Sequence, residues 1–235
     1  MKEKTPPHVL RDVYLQATLE VKRDKGKRFI EKLDQDIKNN LLVIVDRVES
    51  FKAVISVLIT SLTKKILTPK QDIRLHKIEL KGGYSGRTFD TKYVTPFLKK
   101  KFTRLSMKES GWLTRSLEQV APFDLKFPGK IRDIKVKRAF LEVINDIEEK
   151  ELDPHKVLVA LFILLIDKIG YQKIRIKHIK NSDSATIDLI MESLKEHFFK
   201  KYSVSGASRL PVIAIYSVYS ILLRDLKRYN RKILL

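Results

Sequence analysis

Residues 50–67, SFKAVISVLITSLTKKIL, place Val54, Ile55, Leu58, Ile59, Leu62 and Ile66 at spacings of three and four, the stripe of a helix and not the alternation of a strand. The same spacing extends upstream. From Lys27 to Val48 it runs through Phe29, Ile30, Leu33, Ile37, Leu41, Ile44 and Val45, which predicts one helix there. Thr68-Pro69-Lys70-Gln71 reads as an N-cap, a first-turn proline and a capping-box partner, opening a further short helix. Between Ile131 and Glu151, Val136, Phe140, Val143, Ile144 and Ile147 form an apolar face. Asp153-Pro154 caps the next helix, which carries the apolar run Val157–Ile166 and ends near Ile169. Lys173–Ile179 alternates apolar and basic residues and reads as a short strand or a connector. Helices are expected from Asp183 or Ser184 to Tyr202 and from Ala207 or Pro211 to Tyr229. The expected fold is mainly α: a multi-helix domain with a basic, glycine-containing segment of loops and short helices in its middle.

Composition narrows the class of partner. With 43% hydrophobic residues in 235, the chain can bury a core. The absence of cysteine removes disulfides, thiolate nucleophiles and cysteine zinc sites. The ten-residue run Val157–Ile166 is about half of a membrane span, and the N-terminus has no hydrophobic signal core. A cytoplasmic protein with no membrane association is expected. Lys and Arg number 48 against 28 Asp and Glu, a formal charge of +20, beyond what solubility requires, so an acidic partner is expected.

The excess is concentrated. Residues 81–138 hold 15 basic and 5 acidic side chains, half of the net charge in a quarter of the chain, and five of the eight glycines. Tyr84, Phe89, Tyr93, Phe97, Phe102, Trp112, Phe123 and Phe127 interleave with the bases. Positive charge, backbone freedom and aromatic faces together suit a nucleic-acid surface; the other reading is a solvated basic loop whose aromatics are core. The organisation expected is a helical scaffold over 1–80, a DNA-contacting segment over 81–138 and a helical region over 139–235, with 81–235 one domain.

Enzymatic motifs are scarce. Gly82-Gly83-Tyr84-Ser85-Gly86 lacks the lysine and hydroxyl of a phosphate-binding loop. His8, His76, His155, His178 and His197 are isolated, which argues against a histidine metal site. Glu79-Leu80-Lys81 and Asp90-Thr91-Lys92 have the acid-x-lysine spacing of Mg²⁺-dependent nucleases, where carboxylates hold the metal and lysine positions the attacking water. The same spacing recurs at Glu20/Lys22, Asp36/Lys38, Asp133/Lys135, Glu148/Lys150 and Asp225/Lys227, as chance allows in so charged a chain.

Residues 82–97, GGYSGRTFDTKYVTPF, and 109–119, ESGWLTRSLEQ, followed by PGKI at 128–131 and GASRLP at 206–211, resemble the N-terminal part of SacI-family type II restriction endonucleases. The likeness spans Ile78 to Leu235. It implies specific cleavage of duplex DNA with Mg²⁺ within a bacterial restriction–modification system, and a homodimer matched to a palindromic site. It also implies that residues 228–235, RYNRKILL, lead into a further C-terminal part or companion subunit holding the catalytic carboxylates. This chain is then expected to be the DNA-recognition half, with catalytic and metal residues unknown and no tightly bound cofactor.

Arg87 and Arg115 are expected to read a guanine edge or to grip a phosphate. Lys92, Lys99, Lys100, Lys101, Arg104 and Lys108 are expected to contact phosphates, being a charge run and not a forked constellation. Tyr84, Ser85, Ser110, Thr114 and Arg209 complete the expected DNA contacts, and Trp112 is expected in the core. Two alternatives stay open: a compact nuclease using Glu79, Lys81, Asp90 and Lys92, and a non-enzymatic RNA- or polyanion-binding protein.

Overall fold

In the computed structural model, residues 5–171 are described, together with Lys195, residues 215–217, Tyr219 and Ser220. The chain forms two compact units, Met1–Ile169 and Gly170–Leu235. In the second, residues 215–217 and 219–220 are helical, and Ser220 Oγ donates to the Tyr216 carbonyl at 2.8 Å. The expected elements beyond residue 171, and Arg209 with them, lie outside the described residues.

The regular elements of the first unit are helical, joined by loops at 68–85 and 114–133. Helix α1 (Pro6–Lys22) begins with proline in its first turn and buries Val9, Leu10, Val13 and Ala17, a spacing the sequence reading passed over. The helix expected over Lys27–Val48 is two helices, α2 (Gly26–Glu31) and α3 (Gln35–Asp46). Asp34 causes the break: its carboxylate accepts from the backbone N–H groups of Asp36 and Ile37, so the chain restarts there with a cap.

Helix α4 (Lys52–Leu67) is the centre of the unit. All ten residues from Val54 to Thr63 are buried, so the stripe read from the sequence is one face of a helix enclosed on every side. Its buried hydroxyls are satisfied: Thr60 and Thr63 donate to the carbonyls of Ser56 and Ile59. The turn Thr68–Gln71 opens no helix, contrary to its capping-box pattern. Thr68 N–H closes α4 onto the Lys64 carbonyl, and Gln71 spends its side-chain amide on the Gly82 carbonyl at 2.8 Å instead of on a cap.

Residues 86–113 wind against α4 in short pieces: α5 (Gly86–Phe89), a π turn (Asp90–Val94), α6 (Thr95–Lys101) and 3₁₀ turns at Thr103–Leu105 and Gly111–Leu113. Helix α7 (Ile134–Glu149), capped by Asp133, packs along α3, and α8 (Pro154–Tyr171) completes the core with Val157–Ile163 and Leu165. Glu148 ties α7 to α4 through Lys65 at 2.6 Å and to the intervening loop through the Ile73 N–H at 3.0 Å.

Candidate nucleic-acid interface

The middle segment is organised around one carboxylate. Asp90 is wholly buried and accepts four hydrogen bonds. Its Oδ1 receives the Ser56 and Thr95 hydroxyls at 2.8 and 3.2 Å. Its Oδ2 receives the Ser110 hydroxyl at 2.5 Å and the Gly111 N–H at 2.9 Å. Four donors fill the acceptor capacity of a carboxylate. Asp90 therefore joins α4, α6 and the 110–111 turn, and offers no free oxygen to a metal ion. Among the described residues, no three His, Cys, Asp or Glu stand together as metal ligands. The Mg²⁺ implied by the sequence resemblance does not fit at Asp90.

Burial also removes two expected DNA contacts from the surface. Ser110 spends its hydroxyl on Asp90, and Tyr84 lies inside with its phenol 3.4 Å from the Ser61 hydroxyl, its ionisation pushed upward by burial. Trp112 is in the core, as expected. It lies against Gly86, where a Cβ would come within 2.5 Å of the indole Cζ2, so close approach here is to the protein's own ring and not to a ligand. His76 stacks flat on Phe123 at 3.7 Å, its Nε2 making no hydrogen bond, and burial lowers its pKa to about 4.

The remaining candidates face outward. Glu79, Lys81, Arg87, Lys92, Lys99, Lys100, Arg104, Lys108 and Arg115 are exposed, and Ser85 and Thr114 are partly so. Ser85 caps α5 by accepting the Thr88 N–H. Arg115 sits in a turn beyond the 3₁₀ turn and not on a helix. Arg87 is held by Glu118 at 3.3 Å. Lys99, Lys100 and Lys101 form the last turn of α6, where cations also complement the helix dipole. Neither they nor Arg104, Lys108 or Arg115 has a carboxylate partner among the described residues. Phe97, Leu98 and Phe102 anchor this turn: Phe97 stacks on Phe162 at 5.6 Å, and Phe102 meets Tyr14 edge-on at 5.5 Å.

The acids of the segment are mostly spent internally. Asp90 is enclosed, Glu118 faces Arg87, Asp124 accepts its own loop's Lys126 N–H, and Asp133 caps α7 while lying 3.7 Å from Arg47. The outward charge of residues 81–138 is thus more positive than their composition states.

A cleft of about 1000 Å³, which the sequence reading did not anticipate, opens between the first turns of α4 and α7 and the 114–117 turn. Phe51, Met107, Leu117 and Ile131 supply apolar lining, and Lys130 and Arg132 are exposed beside them. Only the charge of the stretch 126–138 hinted at it. No helix among the described residues is long and apolar enough to cross a membrane. Comparison of the chain with protein-family models, curated proteins and solved structures returns no match, so the likeness to SacI-family enzymes stands on its four strings alone.

Proposed function

We propose that the chain binds duplex DNA through the outward cations of residues 81–138, acting as the DNA-recognition part of a type II restriction endonuclease. One observation carries the binding: Lys99, Lys100, Lys101, Arg104 and Lys108 are exposed and lack carboxylate partners among the described residues, and the three lysines stand on a turn bolted to the core by aromatic rings. Cations held in place, with no described acid to neutralise them, match a phosphate backbone. Arg115, equally unpaired, is the residue best disposed to read a base edge. The restriction role draws its support from the four family-like strings.

The compact-nuclease alternative loses its central group, since all four acceptor positions of Asp90 are taken by the protein. To test the main reading, a labelled random duplex and an RNA hairpin are titrated across a salt series. Duplex DNA is expected to bind more tightly, with log K falling steeply against log salt. Replacing Lys99, Lys100 and Lys101 by alanine should shallow that slope by about 3. Equal affinity for RNA would favour the polyanion-binding reading, and selection from a random library that enriches no common site would remove the restriction role.

A further inference from the structure

The cleft between α4 and α7 has a composition that the phosphate-gripping face lacks. Part of its lining is apolar, with half-buried Phe51, Met107 and Ile131 beside fully buried Leu117, and the rest is polar, including Glu49, Thr114 and Asp133. Its nearer cations are already engaged: Arg47 lies between Asp46 and Asp133, and Lys52 Nζ donates to the Arg104 carbonyl. Lys130 and Arg132 are different, being exposed and without a carboxylate partner among the described residues. The wall that carries them is fixed. Ser116 Oγ donates to the Lys130 carbonyl at 2.8 Å, and a Cβ on the preceding Gly129 would fall 1.9 Å from the Ser116 carbonyl oxygen, so the two stretches are in backbone contact.

An apolar patch with an aromatic ring, next to two cations that no described carboxylate engages, suits a ligand with a flat hydrophobic body and a negative end. A volume of about 1000 Å³ accommodates a nucleotide with room to spare. The cleft is also continuous with the proposed DNA face. Lys52 reaches from its edge to the Arg104 carbonyl, and Met107 lines it while the adjacent Lys108 is exposed on the cation run.

We propose that this cleft takes one unpaired nucleotide, its base against Phe51, Met107 and Ile131 and its phosphate between Lys130 and Arg132. The inference rests on the DNA-binding reading for its source, a strand from which one base is unstacked; a free nucleotide presents the same chemistry.

The experiment uses the full chain and three probes: a fully paired duplex, the same duplex with one bulged 2-aminopurine nucleotide, and free dAMP. The bulged duplex is expected to bind at least tenfold more tightly than the paired one, with the probe's fluorescence quenched on binding. Lys130→Ala/Arg132→Ala should bring that ratio close to one. Met107→Glu, which sets a carboxylate among the apolar groups that take the base, should do the same by a different route. Lys99→Ala/Lys100→Ala should weaken both duplexes alike and leave the ratio standing. Equal binding of bulged and paired duplexes by the wild-type chain, or a ratio unmoved by the cleft variants, overturns the proposal. If neither duplex binds, the DNA reading fails by itself: binding of dAMP that Lys130→Ala/Arg132→Ala abolishes then retains the cleft as a free-nucleotide site, and no dAMP binding overturns it.

Discussion

Ser56, in the second turn of α4, donates its hydroxyl to Asp90, thirty-four residues further along the chain, at 2.8 Å inside the core. That bond and its three companions make Asp90 a structural residue. Asp90→Ala should destabilise the protein by about 3–5 kcal/mol, because it strands buried donors with no alternative partner. Asp90→Asn should also be costly, since one side of its amide becomes a donor and meets donors. Urea denaturation measures both. A near-neutral Asp90→Asn would show that the four bonds contribute little.

The Glu148 carboxylate serves Lys65 and the Ile73 N–H together, with only 8% of its side chain exposed. Glu148→Ala should cost about 2–4 kcal/mol, since it leaves a partly buried ammonium with only the Gln71 carbonyl and strands a backbone donor. Glu148→Gln should lose less, because its amide oxygen can still accept. A midpoint shift larger for glutamine than for alanine would contradict this bonding.

His76 predicts a pH dependence with a definite sign. Its folded pKa is about 4, below the ordinary 6.5, so the unfolded chain binds the extra proton more readily. The resulting stability is fully present above pH 6.5 and is lost as pH falls toward 4, with an amplitude of about 3 kcal/mol. His76→Phe keeps a ring for Phe123 to stack on and should flatten this part of the stability profile. An unchanged profile would place the titrating group elsewhere.

Glu118 competes with any phosphate for Arg87, which it holds at 3.3 Å across a half-exposed pair. On the proposed function, Glu118→Gln should tighten duplex binding by about two- to fivefold at low salt, with little effect on stability. Anisotropy titrations of both proteins at two salt concentrations would detect it. Weaker binding would show instead that Glu118 orients Arg87 productively.

Helix content was legible because α7 buries one face and keeps its periodicity, while α4 and α8, enclosed over most of their length, still show long apolar runs where the helices lie. The errors have local causes. Asp34 looks like an ordinary polar residue within the Lys27–Val48 stripe until its carboxylate is seen capping α3. Gln71 fits a capping box, but the Gly82 carbonyl that claims it is eleven residues away and leaves no spacing signal. At the candidate surface, charge was readable and direction was not. Asp90 and Lys92 form an acid-x-lysine pair in sequence, yet one side chain is buried and the other exposed. Lys130 and Arg132 lay within the basic quarter, but nothing local marks them as neighbours of Phe51, about eighty residues earlier in the chain.

A stretch built mostly of turns is normally pliable, and a pliable binding segment loses affinity to the entropy of being ordered. Residues 86–113 escape that cost through the Asp90 hub: the Gly111 amide, in a 3₁₀ turn, is bonded to a carboxylate enclosed by the core. Its hydrogen should exchange with solvent as slowly as those in the middle of α4, opening only when the whole unit unfolds. On the proposed function, the lysines of α6 are then carried on a surface already set in shape before any strand arrives.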